Sequence, residues 1–349
     1  MTERQIRTIG LLTGGGDCCG LNAAIRAVVL QASRRGWTVR GYRNGWAGAL
    51  EDDYSELVPE DVAEIIYQGG TMLGTSRTDP RRDDATYARV TRLFDPGGID
   101  ALVAIGGDDT LSVAAQLAAD GYPVVGAPKT MDNDVTGTNY CIGFHTAITR
   151  VTEAIDSLRT TARSHRRAIV VETMGRDAGW VAAYAGIAAG ADYVLLPETE
   201  TDVADVIAVL GRRHAAGQPY ALVVVSEGAQ VAGLGDTSAR VDERDQFGHE
   251  LLATRRLAAR LATAISEGTP YSTREVVLGH TQRGGTVSAY DRVLGTRLGR
   301  GAVALAERGR WGHMPALVNQ TIVDFPLDAA VGTNRKLTAQ LLDVVEDFQ

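Results

Sequence analysis

Two short acidic runs each follow an apolar strand-like stretch. Asp108 and Asp109 lie in "GGDDT" behind "DALVAIGG", and Lys129, Thr130, Asp132 and Asp134 lie in "PKTMDND" behind "PVVGAP". Phosphoryl transfer to a hydroxyl needs an acceptor for the hydroxyl proton and cations for the phosphoryl charge. Asp132 or Asp134 can supply the first and Lys129 the second. Asp108 could hold Mg²⁺, which bridges phosphate oxygens, and Thr110 can offer a hydroxyl while opening a helix. Both runs also have plainer readings. Asp108 suits a helix N-cap beside a solvated neighbour, and residues 128–134 suit an Asx-rich turn. A third run, Gly14-Gly15-Gly16-Asp17, also sits between a strand and a helix, where backbone amides can seat a phosphate. It is neither a Walker A sequence nor a GxGxxG fingerprint. The second carboxylate of "GGDDT" is the anomaly, because Asp109 adds negative charge where a polyphosphate would lie.

The basic candidates are Arg167, Arg176, Arg274, His280 and Arg283, each expected at the start or end of a strand. Arginines at strand ends suit bidentate phosphate binding. "ARSHRR" also reads as an ordinary solvated charge run.

The elements that must position these groups are short apolar strands, each followed by glycine and a helix-like segment. "TIGLLT" leads to "LNAAIRAVVLQASRRG", "WTVRGY" follows, and "ALVAIGG" leads to "TLSVAAQLAADG" and then "PVVGAP". A second series runs through "RAIVVETMG", "ADYVLLP", "YALVVVSEG" and "REVVLGH". Continuous apolar strands between amphipathic helices indicate mostly parallel sheets covered on both faces. The expected fold class is therefore α/β, with two Rossmann-like three-layer α/β domains. Ligands in such sheets bind beyond the carboxyl ends of the strands, so the active site is expected in a cleft between the two domains. "RRDDATYAR" and "LGDTSARVDERDQFGHE" read as polar loops.

Composition agrees. Of 349 residues, 44% are hydrophobic and 22% charged, enough for sizeable cores in two domains. A net charge of −8 argues against general binding to nucleic acid or a membrane surface. Cys18, Cys19 and Cys141 form no metal-type CxxC pair and suit a reduced interior. The N-terminus has no signal-peptide pattern and the chain no long apolar run, so a cytoplasmic protein is expected.

In their order, "GGGDCCGLNAAIRAVV", "LGTSRTDPRR", "GGDDT", "PKTMDND", "SHRRAIVVETMGR", "VVVSEG" and "GHTQRGGTVSAYDR" resemble the phosphofructokinase family over nearly the whole chain. "GGDGT"-like loops also occur in NAD and lipid kinases, whereas "TMDND" and "GHTQRGG" are far more specific. The resemblance implies Asp132 as the base at the sugar 1-hydroxyl, Asp108 at the Mg²⁺ position and Arg176 on the transferring phosphoryl group. It implies a donor site of Gly15, Arg77, Gly107, Asp109, Thr110 and Lys129. The sugar would be lined by Thr130, Met174, Gly175 and Glu227, with Arg167, Arg274, His280 and Arg283 on its 6-phosphate. In the family two of those arginines come from a neighbouring subunit, implying a homo-oligomer, a dimer or tetramer, with shared sugar-phosphate sites. A donor domain is expected over 1–143 plus 282–332 and a sugar-phosphate domain over 144–281 plus 333–349.

The chain departs from the family's pattern in places. Cys19 replaces a usual proline, and Asp177 stands where relatives often carry histidine. The stretch between Glu227 and Arg274 is longer than in bacterial ATP-dependent enzymes. Leu30, Asp53 and Gln218-Pro219 replace basic groups of the family's effector site, although Arg26 and Arg159 remain. In ATP-dependent relatives the positions of Asp109 and Lys129 are commonly glycine. Their pairing resembles the pyrophosphate-dependent branch and implies pyrophosphate as donor and fructose 6-phosphate as acceptor. An ATP-dependent enzyme, a kinase of another sugar phosphate such as sedoheptulose 7-phosphate, and a silent binding subunit stay open as alternatives.

Overall fold

The computed structural model describes residues 6–234, 252–347 and 349. In chain order the strands among them are β1 (Thr8–Thr13), β2 (Thr38–Tyr42), β3 (Tyr54–Leu57), β4 (Ala101–Gly106), β5 (Val124–Pro128), β6 (Arg167–Thr173), β7 (Tyr193–Leu195), β8 (Thr201–Asp202), β9 (Ala221–Ser226), β10 (Val231–Ala232), β11 (Ser272–Val277), β12 (His313–Val318) and β13 (Thr321–Pro326). The fold is α/β with mostly parallel sheets. The chain divides into two compact units, Met1–Thr146 with Arg283–Asn334, and Ala147–Gln282 with Arg335–Gln349.

The first unit is a seven-stranded sheet in the order β13-β12-β5-β4-β1-β2-β3. Its centre is parallel because each strand is apolar on both faces; every residue of β4 and β5 is buried. From β1 the chain moves to β2 on one side, then crosses back to β4 and β5 on the other. The carboxyl ends of β1 and β4 therefore flank a topological switch point, where backbone loops part and leave room for a ligand. Antiparallel pairing at both edges, β2 with β3 and β12 with β13, is not legible as apolar runs in the sequence.

The second unit holds a four-stranded parallel sheet in the order β11-β6-β9-β7, and a two-stranded ribbon of β8 and β10. Its core joins Val170, Val223 and Val225 to Leu257, Leu261 and Ile265 of the helix Leu257–Gly268. Strand β11 is the sheet's edge and is largely exposed, with Val277 60% accessible.

Two expectations about loops change. "RRDDATYAR" is not a loop: it forms the helix Asp84–Thr91, which the Asp83 side chain caps by accepting the Thr86 N–H at 2.7 Å. Its polar sequence hides a narrow apolar face, where only Thr86 and Val90 are buried. "LGDTSARVDERDQFGHE" lies almost wholly outside the described residues. Among the described residues, no helix is long and apolar enough to cross a membrane.

Candidate active site

Three neighbouring strand ends of the first unit carry the acidic and glycine runs. Thr13 pairs with Ile105 and Gly106 with Pro128, so β1, β4 and β5 stop level. The glycine run leaves β1, "DDT" leaves β4, and Lys129 leaves β5.

The glycine run does not present its first two amides to a ligand. Gly14 N–H donates to Ile105 O at 3.0 Å and Gly15 N–H to Ser76 O at 3.1 Å. The following helix starts only at Leu21, so the run is a loop of its own rather than a helix N-terminus. Thr75 Oγ1 donates to Gly15 O at 2.6 Å, which sets the exposed Arg77 beside this loop.

Asp108 and Asp109 are not caps. Gly107 is the N-cap of the helix Asp108–Ala119, and both carboxylates lie in its first turn, where the helix dipole favours negative charge. Asp108 Oδ1 accepts the Gly332 N–H at 2.8 Å. Thr110 is buried, and a Cβ at Gly14 would come within 2.4 Å of its Oγ1. Thr110 thus wedges the helix against the glycine loop, which explains a glycine at 14 better than phosphate contact does. Among the described residues, no group of three His, Cys, Asp or Glu side chains is placed to hold a metal ion unaided.

Lys129 is 2% exposed. Its ammonium donates to Gly14 O at 2.9 Å and Gly16 O at 2.6 Å, turning the loop's carbonyls inward. Burial lowers its pKa from the ordinary lysine value and Arg283 acts in the same direction, while Asp17 and Asp132 oppose. The loop carrying Thr130 and Asp132 is braced by residues the sequence did not mark. Asp132 N–H donates to Thr130 Oγ1 at 3.1 Å. Asn133 adopts a positive φ of 55°, accepts the Cys141 N–H at 2.8 Å and donates to Asn139 O at 3.2 Å. Cys18 Sγ donates to Ile142 O at 3.3 Å; burial pushes this thiol's pKa well up. Just beyond, the buried Asp291 carboxylate accepts Gly143 N–H at 3.0 Å and Thr146 N–H at 2.7 Å. Arg283 also belongs to this unit, and its Nη1 donates to Asp17 O at 2.9 Å.

In the second unit the loop after β6 is zipped to the loop after β9. Gly228 N–H and Ser226 Oγ both donate to Gly175 O, at 3.0 and 2.7 Å, and Gly175 N–H donates to Glu227 Oε1 at 3.4 Å. Gly175 has a φ of +139°, and a Cβ there would meet Ser226 Oγ at 2.6 Å, so only glycine fits. Gln282, buried and not singled out in the sequence, accepts the Met174 N–H at 3.3 Å. Met174, Gly175, Arg176 and Glu227 are thereby held together. His280 follows β11 in the 3₁₀ turn Gly279–Arg283. Asp177 lies in the same loop as Arg176, and its carbonyl accepts the Lys336 ammonium.

The basic residues do not form one cluster within the second unit. Arg167 opens β6, six residues before Thr173, which at strand geometry separates it from the Met174 loop by roughly 20 Å. Arg274 is not at a strand end; it is the third residue of β11, exposed, with Nη1 donating to Thr273 O at 2.7 Å. Ser272 lies opposite Arg167 and Arg274 opposite Ile169, so Arg167 and Arg274 are diagonal neighbours on one sheet face. At positions that the family resemblance relates to an effector site, Asp53 pairs with Arg43, and Arg159 Nη1 donates to Tyr220 OH at 3.4 Å.

Comparison with known proteins places this geometry. The family model described as "Phosphofructokinase" matches residues 8–306. A pyrophosphate–fructose 6-phosphate 1-phosphotransferase of Amycolatopsis methanolica is 47% identical over 97% of this chain and 99% of its own length. An ATP-dependent 6-phosphofructokinase of Corynebacterium efficiens is 44% identical over 94% of this chain and 95% of its own. The structure of phosphofructokinase from Saccharomyces cerevisiae matches with a TM-score of 0.81 and 29% identity, covering 98% of this chain and 50% of that one.

Proposed function

Because the chain belongs to the phosphofructokinase family, we propose that it transfers a phosphoryl group from pyrophosphate to the 1-hydroxyl of fructose 6-phosphate, in a Mg²⁺-dependent and reversible reaction. Overall similarity does not choose the donor, since relatives at 47% and 44% identity carry names with different donors. The observation that carries the choice is local: Asp109 and Lys129 leave adjacent, level strand ends. A carboxylate at 109 would crowd the part of the groove where ATP continues into its α-phosphate. Two like charges 4 Å apart repel by about 1 kcal/mol in water and about 4 kcal/mol at an effective dielectric of 20. Pyrophosphate ends before that point, and the buried Lys129 offsets its charge. Cleaving pyrophosphate to transfer one phosphoryl group leaves little net driving force, so both directions are expected.

Asp132 takes the proton of the attacking hydroxyl, and Arg176 neutralises the phosphoryl group in flight. Arg77, Gly107, Asp109 and Lys129 form the donor site; Gly15 borders it without its amide, which is spent on Ser76, and the buried Thr110 supports it from behind. Mg²⁺ keeps water and substrate oxygens as ligands and needs one or two carboxylates, and Asp108 in the first turn of the helix Asp108–Ala119 offers one. Asp108 would hold it, and the ion would supply positive charge to the phosphate oxygens. Thr130, Met174, Gly175, Glu227, His280 and Arg283 bind the sugar phosphate. Arg167 and Arg274 are assigned to the site of a neighbouring subunit, because they share one face of β6 and β11 well away from the Met174 loop. The working form is thus a homo-oligomer. A cytoplasmic setting suits three free thiols.

The test is a matrix of the purified protein with Mg²⁺, pyrophosphate or ATP as donor, and fructose 6-phosphate, sedoheptulose 7-phosphate or free fructose as acceptor. Turnover is expected with pyrophosphate and fructose 6-phosphate, and Asp109→Gly with Lys129→Gly should abolish it. A parent enzyme that prefers ATP would overturn the donor assignment.

A further inference from the structure

Arg255 closes the short 3₁₀ turn Leu252–Arg255 ahead of the helix Leu257–Gly268, and no substrate role falls to it. It is nevertheless 8% exposed, a burial that a guanidinium tolerates only when its N–H groups are spent on good acceptors. Those acceptors are informative. Nη1 donates to Glu227 O at 3.2 Å, and Nη2 donates to Ala229 O at 3.0 Å and Gln230 Oε1 at 3.3 Å. One planar fork therefore grips the turn after β9 at two backbone carbonyls two residues apart. This turn carries Glu227 and is zipped to Gly175.

The fork has a countercharge. Glu172, 8% exposed on β6, accepts the Ala258 N–H at 2.9 Å. Burial raises its pKa, while that hydrogen bond and the Arg255 charge hold it down. Glu172 thus ties the start of the helix Leu257–Gly268 to β6, and the helix start fixes Arg255. From the same strand, two residues on, comes the Met174–Arg176 loop. The buried pair therefore references both sugar-binding loops to one frame.

We propose that Arg255 is a positioning residue for the acceptor: its guanidinium sets the Glu227 turn, and through it the zipped Met174–Arg176 loop, in the conformation that reads the sugar phosphate. This rests on the assignment of Glu227 to the acceptor under the function proposed above. A lysine at 255 keeps the charge for Glu172 but offers a point donor that does not span two carbonyls. Geometry, rather than charge, is then what the substitution removes.

The experiment compares Arg255→Lys, Arg255→Met and Glu172→Gln in the full-length enzyme, with steady-state constants for each substrate, fructose 6-phosphate affinity by calorimetry, and urea unfolding. Arg255→Lys is expected to raise the fructose 6-phosphate KM and Kd about tenfold while the pyrophosphate KM stays within about twofold. Arg255→Met should shift the sugar constants further; if it does not fold, Arg255→Lys decides. Glu172→Gln, which keeps an acceptor for Ala258, should lower stability with little change in the sugar KM. A sugar KM unchanged in Arg255→Lys would overturn the inference. So would rises in both KM values that merely track the loss of stability, with no selective effect on the sugar constants. Failure of the parent enzyme to use fructose 6-phosphate with pyrophosphate would instead sink the functional assignment.

Discussion

At the scale of single residues, the roles proposed for Asp132 and Lys129 divide two tasks within one loop. Asp132 stands on a turn fixed by Thr130 and Asn133, so replacing its charge need not disturb the backbone. Asp132→Asn should cut turnover by about 10²–10⁴-fold, the range for loss of general base help. Calorimetric binding of fructose 6-phosphate should change little; near-parental turnover would pass the base role to Asp134. In its proposed role Lys129 carries charge to hold the donor, yet burial lowers its pKa below the ordinary lysine value. The alkaline limb of kcat/KM for pyrophosphate should therefore lie below the ordinary lysine range. The same shift has a stability sign. The unfolded chain holds this proton more tightly, so the Lys129 contribution to stability rises with pH from the lowered value up to about 10.5. Urea titrations from neutral to alkaline pH, with Lys129→Met as reference, test this; a parent and variant with parallel curves would contradict it.

At the scale of elements, the proposed donor site depends on how closely a helix approaches a loop. Thr110 leaves no room for a side chain at Gly14. Gly14→Ala should cost about 1–3 kcal/mol, as overpacking of a tight site does. Thr110→Ala in the same chain should recover much of this, since the Oγ1 and Cγ2 atoms at 2.4 and 2.9 Å are the ones removed. Urea midpoints of the two single variants and the double variant form the cycle. Additive effects would show that the helix Asp108–Ala119 and the glycine loop are not in tight register. The glycine run was legible in the sequence as a turn. Its amides were not, because their partners, Ile105 and Ser76, lie some 90 and 60 residues away and are chosen by strand order.

At the scale of the whole molecule, Arg167 and Arg274 share one face of β6 and β11, and the proposed function assigns them to the acceptor site of a neighbouring subunit. If each acceptor site borrows them from a neighbour, two inactive variants should complement. Asp132→Asn and Arg274→Ala chains, coexpressed and purified together, should regain about a quarter of the parental sites by random pairing in a symmetric oligomer. Activity no higher than the sum of the two separate variants would place Arg274 within its own subunit's site or outside any site.

The sequence by itself determined the family, the α/β class and the identity of the chemical groups, because "TMDND", "GHTQRGG" and the apolar strands are local patterns that survive without a partner in space. The unusual pair Asp109 and Lys129 was also legible, since its oddity is one of residue type. Only the tertiary structure decided what those groups touch. It buried Lys129 against two carbonyls, made Gly107 rather than Asp108 the helix cap, turned "RRDDATYAR" into a helix, and set Arg167 far along β6 from the Met174 loop. It also gave partners to Asn133, Gln282 and Asp291, which lie inside the motifs without an assigned role, and brought in Arg255, which lies in none. The physical reason is common to all of them. A buried polar group must find partners, and which partners are within reach depends on the order of strands in the sheet, not on the order of residues in the chain.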